Sequence, residues 1–446
     1  MNWWHRLVSE WRSQDNREQR KWDALVIGCF LFLLFFLPRP TFDDGSYIVW
    51  AQYIRDEGLS HIYHLHYVNY MPINIFGLQA WQLLSGLFQI GLTEGVHYFK
   101  VFPLLFDCLT VLLLLRFAKR YGIGLIGVLA LFLPNIAFWY NSFIWGQLDS
   151  IYTFFVVLTF YFLLKRQPLA AFLAFVLALN AKLQAVIFLP ALGLFAWVHI
   201  FQPQKHPVRE LIKTVGLSGA IAMIAQFLLF APFWAHSPAQ IMTLIWERTT
   251  ALSTYVTFNA DNFWILVGAQ SMVTLDTSPW LLGMSYHVWG YLLFSLATFL
   301  AFLPLIVMFL EPYWSHLTAL KKFRFLKFSM LAEATQAELL SLILYIQGLS
   351  FFFFLTQMHE RYSHPAIVFA GIFALLSKKK AIFLCTCIAY VLNLERIDLF
   401  WQDTIDLSQI SWINQISALL YMIGLGLAFW HLYRLYLTHQ RLKTKP

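Results

Sequence analysis

Charged residues are scarce in this chain. Asp, Glu, Lys and Arg make up 12% of its 446 residues, whereas a soluble domain carries about 25%. Hydrophobic residues make up 59%. This balance excludes a soluble globular protein and predicts a polytopic membrane protein with most of its length in the bilayer. The formal net charge of +8 does not indicate nucleic-acid binding, because the basic residues are spread through short loops.

Cysteine is also sparse. The 4 cysteines all lie inside apolar segments, which argues against a disulfide framework: Cys29, Cys108, Cys385 and Cys387. Internal repeats of 20–50 residues and low-complexity tracts are absent from the sequence. We therefore predict a single membrane domain over residues 1–446.

Apolar runs that approach the length needed to cross a bilayer, about 20 residues, recur along the chain. They predict an all-α protein with about twelve transmembrane helices, at residues 22–39, 99–115, 121–141, 148–164, 167–182, 184–201, 212–233, 286–310, 338–357, 363–377, 381–394 and 411–433.

Basic residues are distributed unevenly between the two sides of these helices. With the N-terminus placed in the cytoplasm, the outer segments hold few of the 31 Lys and Arg residues, namely Arg39, Arg55, Lys100, Lys182, Arg248, Arg361 and Arg396. Because positive residues favour the cytoplasmic side, both termini are predicted inside. We expect the cell inner (cytoplasmic) membrane, although an ER membrane has the same sidedness. Residues 1–21 predict a cytoplasmic interfacial helix, and residues 40–98 and 234–285 the two large outer loops.

The first outer loop opens on two adjacent carboxylates, Asp43 and Asp44. Charges beside a membrane helix are costly to keep near lipid and indicate function. One of them can act as general base on an acceptor hydroxyl while the other binds or caps, since adjacent side chains of an extended chain point apart. Both can instead cap a helix predicted over residues 47–57. Tyr70 then marks a rigid re-entry into an interfacial helix over residues 73–87, or an aromatic belt.

Two further segments carry polar groups on the outer face. Gln147 and Asp149 enter a predicted span from outside, and Asp149 suits sugar hydroxyls, the acceptor or a helix cap. Lys182 lies in a nearly continuous apolar run, with Gln184 two residues on. A charge there needs a partner, which a lipid-linked phosphate, the membrane interface or a protein carboxylate can supply.

The later outer segments combine amides, rings and charges. Asn259, Asn262 and Trp264 suit sugar recognition, or form a polar turn before a helix. His359 and Arg361 can clamp a phosphate, because Arg donates bidentately, with Glu360 orienting either of them. The alternative for that segment is an interfacial salt-bridge turn.

Three histidines in the first loop, His61, His64 and His66, have a spacing that admits a metal site. No fourth ligand is identifiable. We therefore assign no metal ligand and no cofactor, with a divalent cation kept as an alternative that no motif indicates.

Anion-binding groups, carboxylates and aromatic loops on one membrane face suit one kind of reaction. A lipid phosphate must be held as leaving group while a hydroxyl is deprotonated, with the anomeric carbon of a sugar between them. Charge develops on the phosphate as the bond breaks, so Lys182 and Arg361 would bind more strongly in the transition state.

In this order the segments resemble the GT-C superfamily of polyprenyl-phosphate-sugar-dependent glycosyltransferases. The most similar groups are bacterial multi-pass members related to the GPI mannosyltransferases, and the ER dolichyl-phosphate-glucose glucosyltransferases. The segments that carry the resemblance are Asp43-Asp44, Tyr70-Met71-Pro72, Trp145-Gly146-Gln147-Leu148-Asp149, Lys182-Leu183-Gln184, Asn259 to Trp264 and His359-Glu360-Arg361-Tyr362. Asn69 and Met71 depart from the family, which often has an acidic residue and a proline there.

The resemblance implies a GT-C-like fold and an inverting transfer, with Asp44 favoured over Asp43 as the base. It implies that basic residues near the later outer loops bind the donor phosphate, here Lys182, His359 and Arg361. The expected partners are a polyprenyl-phosphate hexose-type donor, used in place of a nucleotide-sugar, and a lipid-linked or cell-surface glycan acceptor. The alternatives are a transporter or flippase for lipid-linked sugars, and a glycan ligase or polymerase.

Overall fold

The computed structural model describes residues 14–41, 44–197, 208–251, 254–314, 331–398, 400–401, 404, 406–410 and 412–444. Helices dominate these residues. They are α1 (Gln14–Leu34), α2 (Asp44–Glu57), α3 (Pro72–Leu87), α4 (Val101–Arg120), α5 (Leu125–Phe132), α6 (Ile136–Trp139), α7 (Asp149–Leu164), α8 (Pro168–Ala181), α9 (Leu189–Ala196), α10 (Val208–Phe230), α11 (Pro238–Ala251), α12 (Phe263–Leu266), α13 (Tyr286–Trp314), α14 (Glu333–Phe354), α15 (His364–Ser377), α16 (Ala381–Asp398) and α17 (Ile413–Thr444).

Short turns and one small sheet join the helices. The 3-10 turns are Leu59–His64, Val96–Lys100, Leu183–Phe188, Ala231–Phe233 and Leu407–Gln409, and a π turn covers Tyr140–Trp145. Strands β1 (Thr257–Phe258) and β2 (Met358–His359) pair in parallel, with Thr257 opposite Met358. The sheet ties the second large outer loop to the segment between α14 and α15.

Five helices among the described residues are long and apolar enough to cross a membrane: Val96–Arg120, Ile212–Phe233, Tyr286–Leu310, Glu333–Phe354 and Ile413–His439. Leu125–Phe132 and Ile136–Trp145 add a sixth if they count as one span, bent by 69°. The bend follows Pro134, which lacks an N–H to donate, and the side chain of Asn135 caps the second part by accepting from the N–H of Ala137. The protein is an all-α multi-pass membrane protein.

This count differs from the prediction of about twelve spans. The other apolar helices are short, namely Asp149–Leu164, Pro168–Ala181, Leu183–Ala196 and His364–Ser377. α8, for example, has 14 residues and rises about 21 Å, less than the hydrocarbon thickness of about 30 Å. Hydropathy registers apolar side chains and not the backbone breaks between them, so these segments are shorter as helices than as apolar runs.

The structure describes only part of the segment predicted as a surface helix, residues 1–21. Residues 1–13 lie outside the described residues, and the remainder of the segment belongs to α1, which continues into the first predicted span. Asp23 holds this helix against α4 by accepting from Arg116, Nη2 to Oδ2, at 2.7 Å. Residues 14–21 are therefore the start of a longer helix, because helical hydrogen bonding continues through them.

Helices predicted within the outer loops are confirmed. α2 covers the segment predicted over residues 47–57 and begins slightly earlier, at Asp44. α3 begins at Pro72, at the predicted re-entry into residues 73–87. Arg248, in α11, donates to the carbonyl oxygens of Val68 at 2.8 Å and Tyr63 at 3.0 Å, so the second outer loop holds the first one in place.

α14 lies at the centre of the bundle. In its most apolar stretch, 83% of the residues are buried within the protein, whereas only 17% are buried in the corresponding stretch of α10. α14 packs against α13, α15 and α17, and α7 packs along α8 and α4. A Cβ on Gly348 would lie 3.1 Å from the ring of Phe188, so a glycine lets the turn after Lys182 approach α14 closely. This packing positions Lys182 against the loop that precedes α15.

Candidate active site

The π turn Tyr140–Trp145 and the next residues, to Asp149, form the platform on which the candidate site is built. The N–H of Gln147 donates to the carbonyl of Asn141 at 2.7 Å and closes the turn. Gly146 ends it with a left-handed backbone, φ +84°. The chain then enters α7 at Asp149, so one short segment faces both the first outer loop and the later outer loops.

Asp44 lies on one side of this platform. It is 2% exposed, and its Oδ2 accepts from the backbone N–H of Thr41 at 2.6 Å, which stabilises the start of α2. The hydroxyl of Thr41 donates to the carbonyl of Trp145 at 3.0 Å. Oδ1 would lie 3.6 Å from a Cβ at Gly146. The structure thus brings Asp44 to the platform, whereas Asp43 lies outside the described residues.

Lys100 is a buried charge beside Asp44 that the sequence reasoning did not assign to the site. It is 1% exposed, and its Nζ donates to the carbonyl oxygens of Ile144 at 2.6 Å and Arg39 at 2.8 Å. Its ammonium interacts electrostatically with Asp44. The signal that would have found it is a lysine at the outer end of an apolar run, the same pattern as Lys182.

Gly146→Ala is expected to destabilise this platform. The left-handed φ strains a residue with a side chain, by about 1–2 kcal/mol, and the added Cβ would lie 3.0 Å from Cγ of Lys100. Gly45→Ala is the matched control, because Gly45 lies in α2 beside Asp44 and a Cβ there meets nothing within 4 Å. Thermal unfolding in detergent measures both variants. Equal midpoints for the two would contradict the close approach at Gly146.

Asp149 forms the centre of an ion-pair cluster on the other side of the platform. It is 1% exposed. Its Oδ1 accepts from Lys182 Nζ at 2.5 Å, and its Oδ2 lies 3.8 Å from Nε of Arg361. The lysine follows α8, the arginine precedes α15, and the aspartate begins α7. Three segments that are far apart in sequence therefore meet at one carboxylate.

Glu360 balances the second cation of the cluster. Its Oε1 accepts from Arg361 Nη1 at 2.5 Å, and its Oε2 lies 3.8 Å from Nδ1 of His359. Burial by itself would raise the pKa of this carboxyl, but the neighbouring guanidinium and imidazole lower it to about 2. Two buried carboxylates, Asp149 and Glu360, thus face two cations.

Aromatic rings surround both cations. Nζ of Lys182 lies 4.3 Å from the ring centre of Tyr362 and 5.6 Å from that of Tyr152. Cζ of Arg361 lies 5.9 Å from the ring centre of Trp145. These distances permit cation–π attraction. The rings also exclude water, which strengthens every charge interaction inside the cluster.

Tyr70 connects the two sides. Its hydroxyl lies 3.5 Å from that of Tyr47 in α2, and its ring stacks on Tyr47 with centres 6.3 Å apart. It also interacts electrostatically with Arg361. Tyr70 therefore lies between the helix that begins at Asp44 and the ion-pair cluster.

The remaining predicted site residues differ in how close they come to this cluster. Asn259 forms a β-bridge with His359 and so reaches the cluster through its backbone. Asn262 and Trp264 are fully buried and donate to carbonyl oxygens at the end of α14, of Phe352 at 3.3 Å and Phe354 at 3.0 Å. Their side chains hold the second outer loop against α14. Gln147 is buried in the platform, and Gln184 is half-buried in the turn after Lys182.

The end of α16 contributes charges that the sequence reasoning missed. Arg396 pairs with Asp261 at 2.8 Å, and Asn393 donates to the carbonyl of Asn259 at 2.7 Å. Glu395 accepts from the hydroxyl of Tyr140, at the start of the π turn, at 2.5 Å. The sequence does contain a signal for these residues, because acidic and basic residues directly follow the predicted span over residues 381–394.

Histidines of the first loop meet a fourth histidine from the second loop. Nδ1 of His61 lies 3.3 Å from Nδ1 of His64, and the ring of His64 lies 4.3 Å from that of His236. Within the part of the chain that the structure describes, no three His, Cys, Asp or Glu side chains are arranged to hold a metal ion.

Acid is expected to destabilise the protein through Glu360. A pKa lowered from 4.5 to about 2 means that this carboxylate stabilises the fold above about pH 4.5 and that the stabilisation is lost as the pH falls towards 2. The full contribution is about 3 kcal/mol. The difference in unfolding midpoint between wild type and Glu360→Gln should therefore shrink between pH 6 and pH 3. A difference that stays constant across this range would contradict the lowered pKa.

No protein-family model matches this sequence, and no curated protein matches it either.

Proposed function

We propose that this protein transfers a hexose-type sugar from a polyprenyl-phosphate donor to a lipid-linked or cell-surface glycan hydroxyl, with inversion at the anomeric carbon. One observation carries the proposal. A buried carboxylate, Asp44, lies on one side of the segment from Tyr140 to Asp149. The ion-pair cluster, with its two cations Lys182 and Arg361, lies on the other side. Such a site has a base at one end and a phosphate-binding group at the other.

The roles follow from charge. A donor phosphate attracts Lys182 and Arg361, which Asp149 and Glu360 hold in place until it arrives. Negative charge grows on the phosphate oxygen as the glycosidic bond breaks, so the two cations stabilise the transition state more than the bound donor. Asp44 takes the proton of the acceptor hydroxyl. Lys100 lies close enough to Asp44 to stabilise its carboxylate electrostatically.

The number and arrangement of the membrane passes are part of the same proposal. The short apolar helices α7, α8, α9 and α15, together with α1 and α16, complete about twelve membrane passes in a GT-C-like arrangement. The supporting observation is that every predicted span coincides with a helix or with the bent pair. Both termini would then lie in the cytoplasm of a cell with an inner membrane, and the site would face outwards.

Glycosyl transfer in proteoliposomes tests this function. Wild-type protein is reconstituted with short-chain polyprenyl-phosphate hexoses and a lipid-linked glycan acceptor, and the product is analysed for its anomeric configuration. We expect turnover with at least one hexose and an inverted linkage. No turnover with any monosaccharide donor, or a retained configuration, would contradict the proposal.

A transporter or flippase for lipid-linked sugars is the second candidate. It is favoured by ionisable residues deep in the bundle, Asp107 and His364, since such groups often mark transport pathways. A fluorescent lipid-linked sugar and its accessibility to quencher distinguish the two functions. Movement across the bilayer that survives Asp44→Asn, without transfer, would favour the flippase.

A further inference from the structure

A buried polar contact lies inside the bundle, away from the ion-pair cluster. Asp107 belongs to α4, Ser142 to the π turn and His364 to the start of α15, and each is at most 1% exposed. The hydroxyl of Ser142 donates to Asp107 Oδ2. Nε2 of His364 lies 3.8 Å from Asp107 Oδ1. Asp107 is therefore the common neighbour of a hydroxyl and an imidazole.

Asp107 cannot be an ordinary ionised carboxylate at this depth. It is six residues after Val101, the first residue of α4, which places it about 9 Å along the helix. A charge there is expensive unless it is neutralised or paired. His364 is the imidazole close enough to do either, by leaving a proton on the carboxyl or by taking it.

Polar atoms around this contact lack hydrogen-bond partners within the described residues. They are the two ring nitrogens of His364. Buried polar atoms in native proteins nearly always have a partner, so each exception needs an explanation. Nε2 of His364 would gain a partner if its ring moved towards Oδ1 of Asp107, which lies 3.8 Å away.

The contact is connected to the candidate active site. Nδ2 of Asn141 lies 3.4 Å from Oδ2 of Asp149, the carboxylate that Lys182 holds. His364 interacts electrostatically with both Asp149 and Lys182. The ring of Phe138 stacks on His364 with centres 6.2 Å apart. The imidazole thus lies in an apolar enclosure where a change of charge at Asp149 is weakly screened.

We propose that Asp107 and His364 share one proton, and that its position follows the pairing of Asp149 with Lys182. While the ion pair is intact, the proton stays on Asp107 and the imidazole is neutral. When a lipid phosphate draws Lys182 away, Asp149 loses that counter-charge. His364 then moves towards Asp107 until Nε2 and Oδ1, which lie 3.8 Å apart in the structure, form a hydrogen bond. The O–H bond of Asp107 breaks and an N–H bond forms on His364, whose imidazolium stabilises Asp149, while Ser142 stabilises the Asp107 carboxylate.

In this scheme His364 is a positioning residue that supplies a counter-charge to Asp149 and holds it in place during phosphate binding. The scheme rests on the proposed function only for the step in which a phosphate recruits Lys182. Asp149 and Lys182 interact electrostatically with His364, and the ring of Tyr390 lies 5.8 Å from the His364 ring. Cys108, beside Asp107 in α4, interacts electrostatically with Asp107.

Infrared difference spectroscopy of the protein in lipid nanodiscs tests the proposal, because a protonated carboxyl has its own C=O band. Asp107→Asn identifies the band in wild type. We expect Lys182→Met, which removes the counter-charge permanently, to abolish the band. Lys182→Met combined with Asp149→Asn removes both charges and is expected to keep it, and His364→Phe, which cannot accept a proton, should also keep it.

Short-chain polyprenyl monophosphate, added to wild type, should weaken the same band. A band that is unchanged in Lys182→Met, or absent from wild type, overturns the proposal. If Lys182→Met abolishes the band and the lipid phosphate leaves it unchanged, the proton-sharing pair stands and the polyprenyl-phosphate donor is contradicted. The two proposals therefore fail in distinguishable ways.

Discussion

Asp44→Asn is expected to lower kcat for sugar transfer by about 10²–10⁴-fold, the range that a general base contributes. Asparagine keeps an oxygen that can accept from the N–H of Thr41, so the start of α2 should form as before. What it loses is the ability to take a proton from the acceptor hydroxyl. In the proposed mechanism the donor binds at the other side of the platform, so its affinity should stay within about a factor of ten, equivalent to 1.4 kcal/mol.

Two comparisons sharpen this experiment. Asp56→Asn changes another carboxyl of α2, one whose side chain is 59% exposed and paired with Arg55, and it should leave turnover unchanged. Asp43→Asn tests the adjacent carboxylate. Full turnover in Asp44→Asn would remove Asp44 from the mechanism, and a loss confined to Asp43→Asn would move the role of base to Asp43.

Lys182→Met is expected to destabilise the protein by about 3–5 kcal/mol, because it leaves Asp149 buried without its closest counter-charge. It should also weaken binding of a lipid phosphate. Adding Asp149→Asn removes the stranded charge, so the double variant should recover much of the stability without recovering transfer. Unfolding midpoints and turnover, measured on the same preparations, separate the two effects.

Lys213→Met is the matched control, since Lys213 is exposed on α10 and away from the ion-pair cluster. It should leave both stability and turnover close to wild type. A double variant of Lys182 and Asp149 that regains transfer together with stability would show that the ion pair serves only to hold the helices. The phosphate-binding role of Lys182 would then be wrong.

The proposed mechanism assigns the same role to all the buried charges, which is to keep each cation paired. Each cation of the cluster is neutralised in the resting protein, which a low-dielectric site requires. In the proposed mechanism an anionic donor replaces a protein carboxylate as the partner, and the released carboxylate then needs stabilisation. Asp107 and His364 would provide it. The ion pairs would then be both structural contacts and a pre-formed phosphate site.

Some of this could be read from the sequence. Composition determined the membrane class, and apolar periodicity determined where the helices lie, including α2 and α3 in the first outer loop. Residue chemistry also marked Asp44, Asp149, Lys182 and Arg361, because charged side chains beside apolar runs are costly and few. These are local properties, and a local pattern is sufficient to read them.

The tertiary structure alone decided which of these residues meet. Asp149 contacts Lys182 and Arg361 from segments far apart in the chain, and neither spacing nor hydropathy encodes that contact. Lys100 and the end of α16 also lie at the site through contacts with residues far away in the chain. Asn262 and Trp264 instead donate to backbone carbonyls of α14. The number of long spans also fell below the prediction, since the breaks at Pro134 and Lys182 depend on backbone geometry rather than on apolarity.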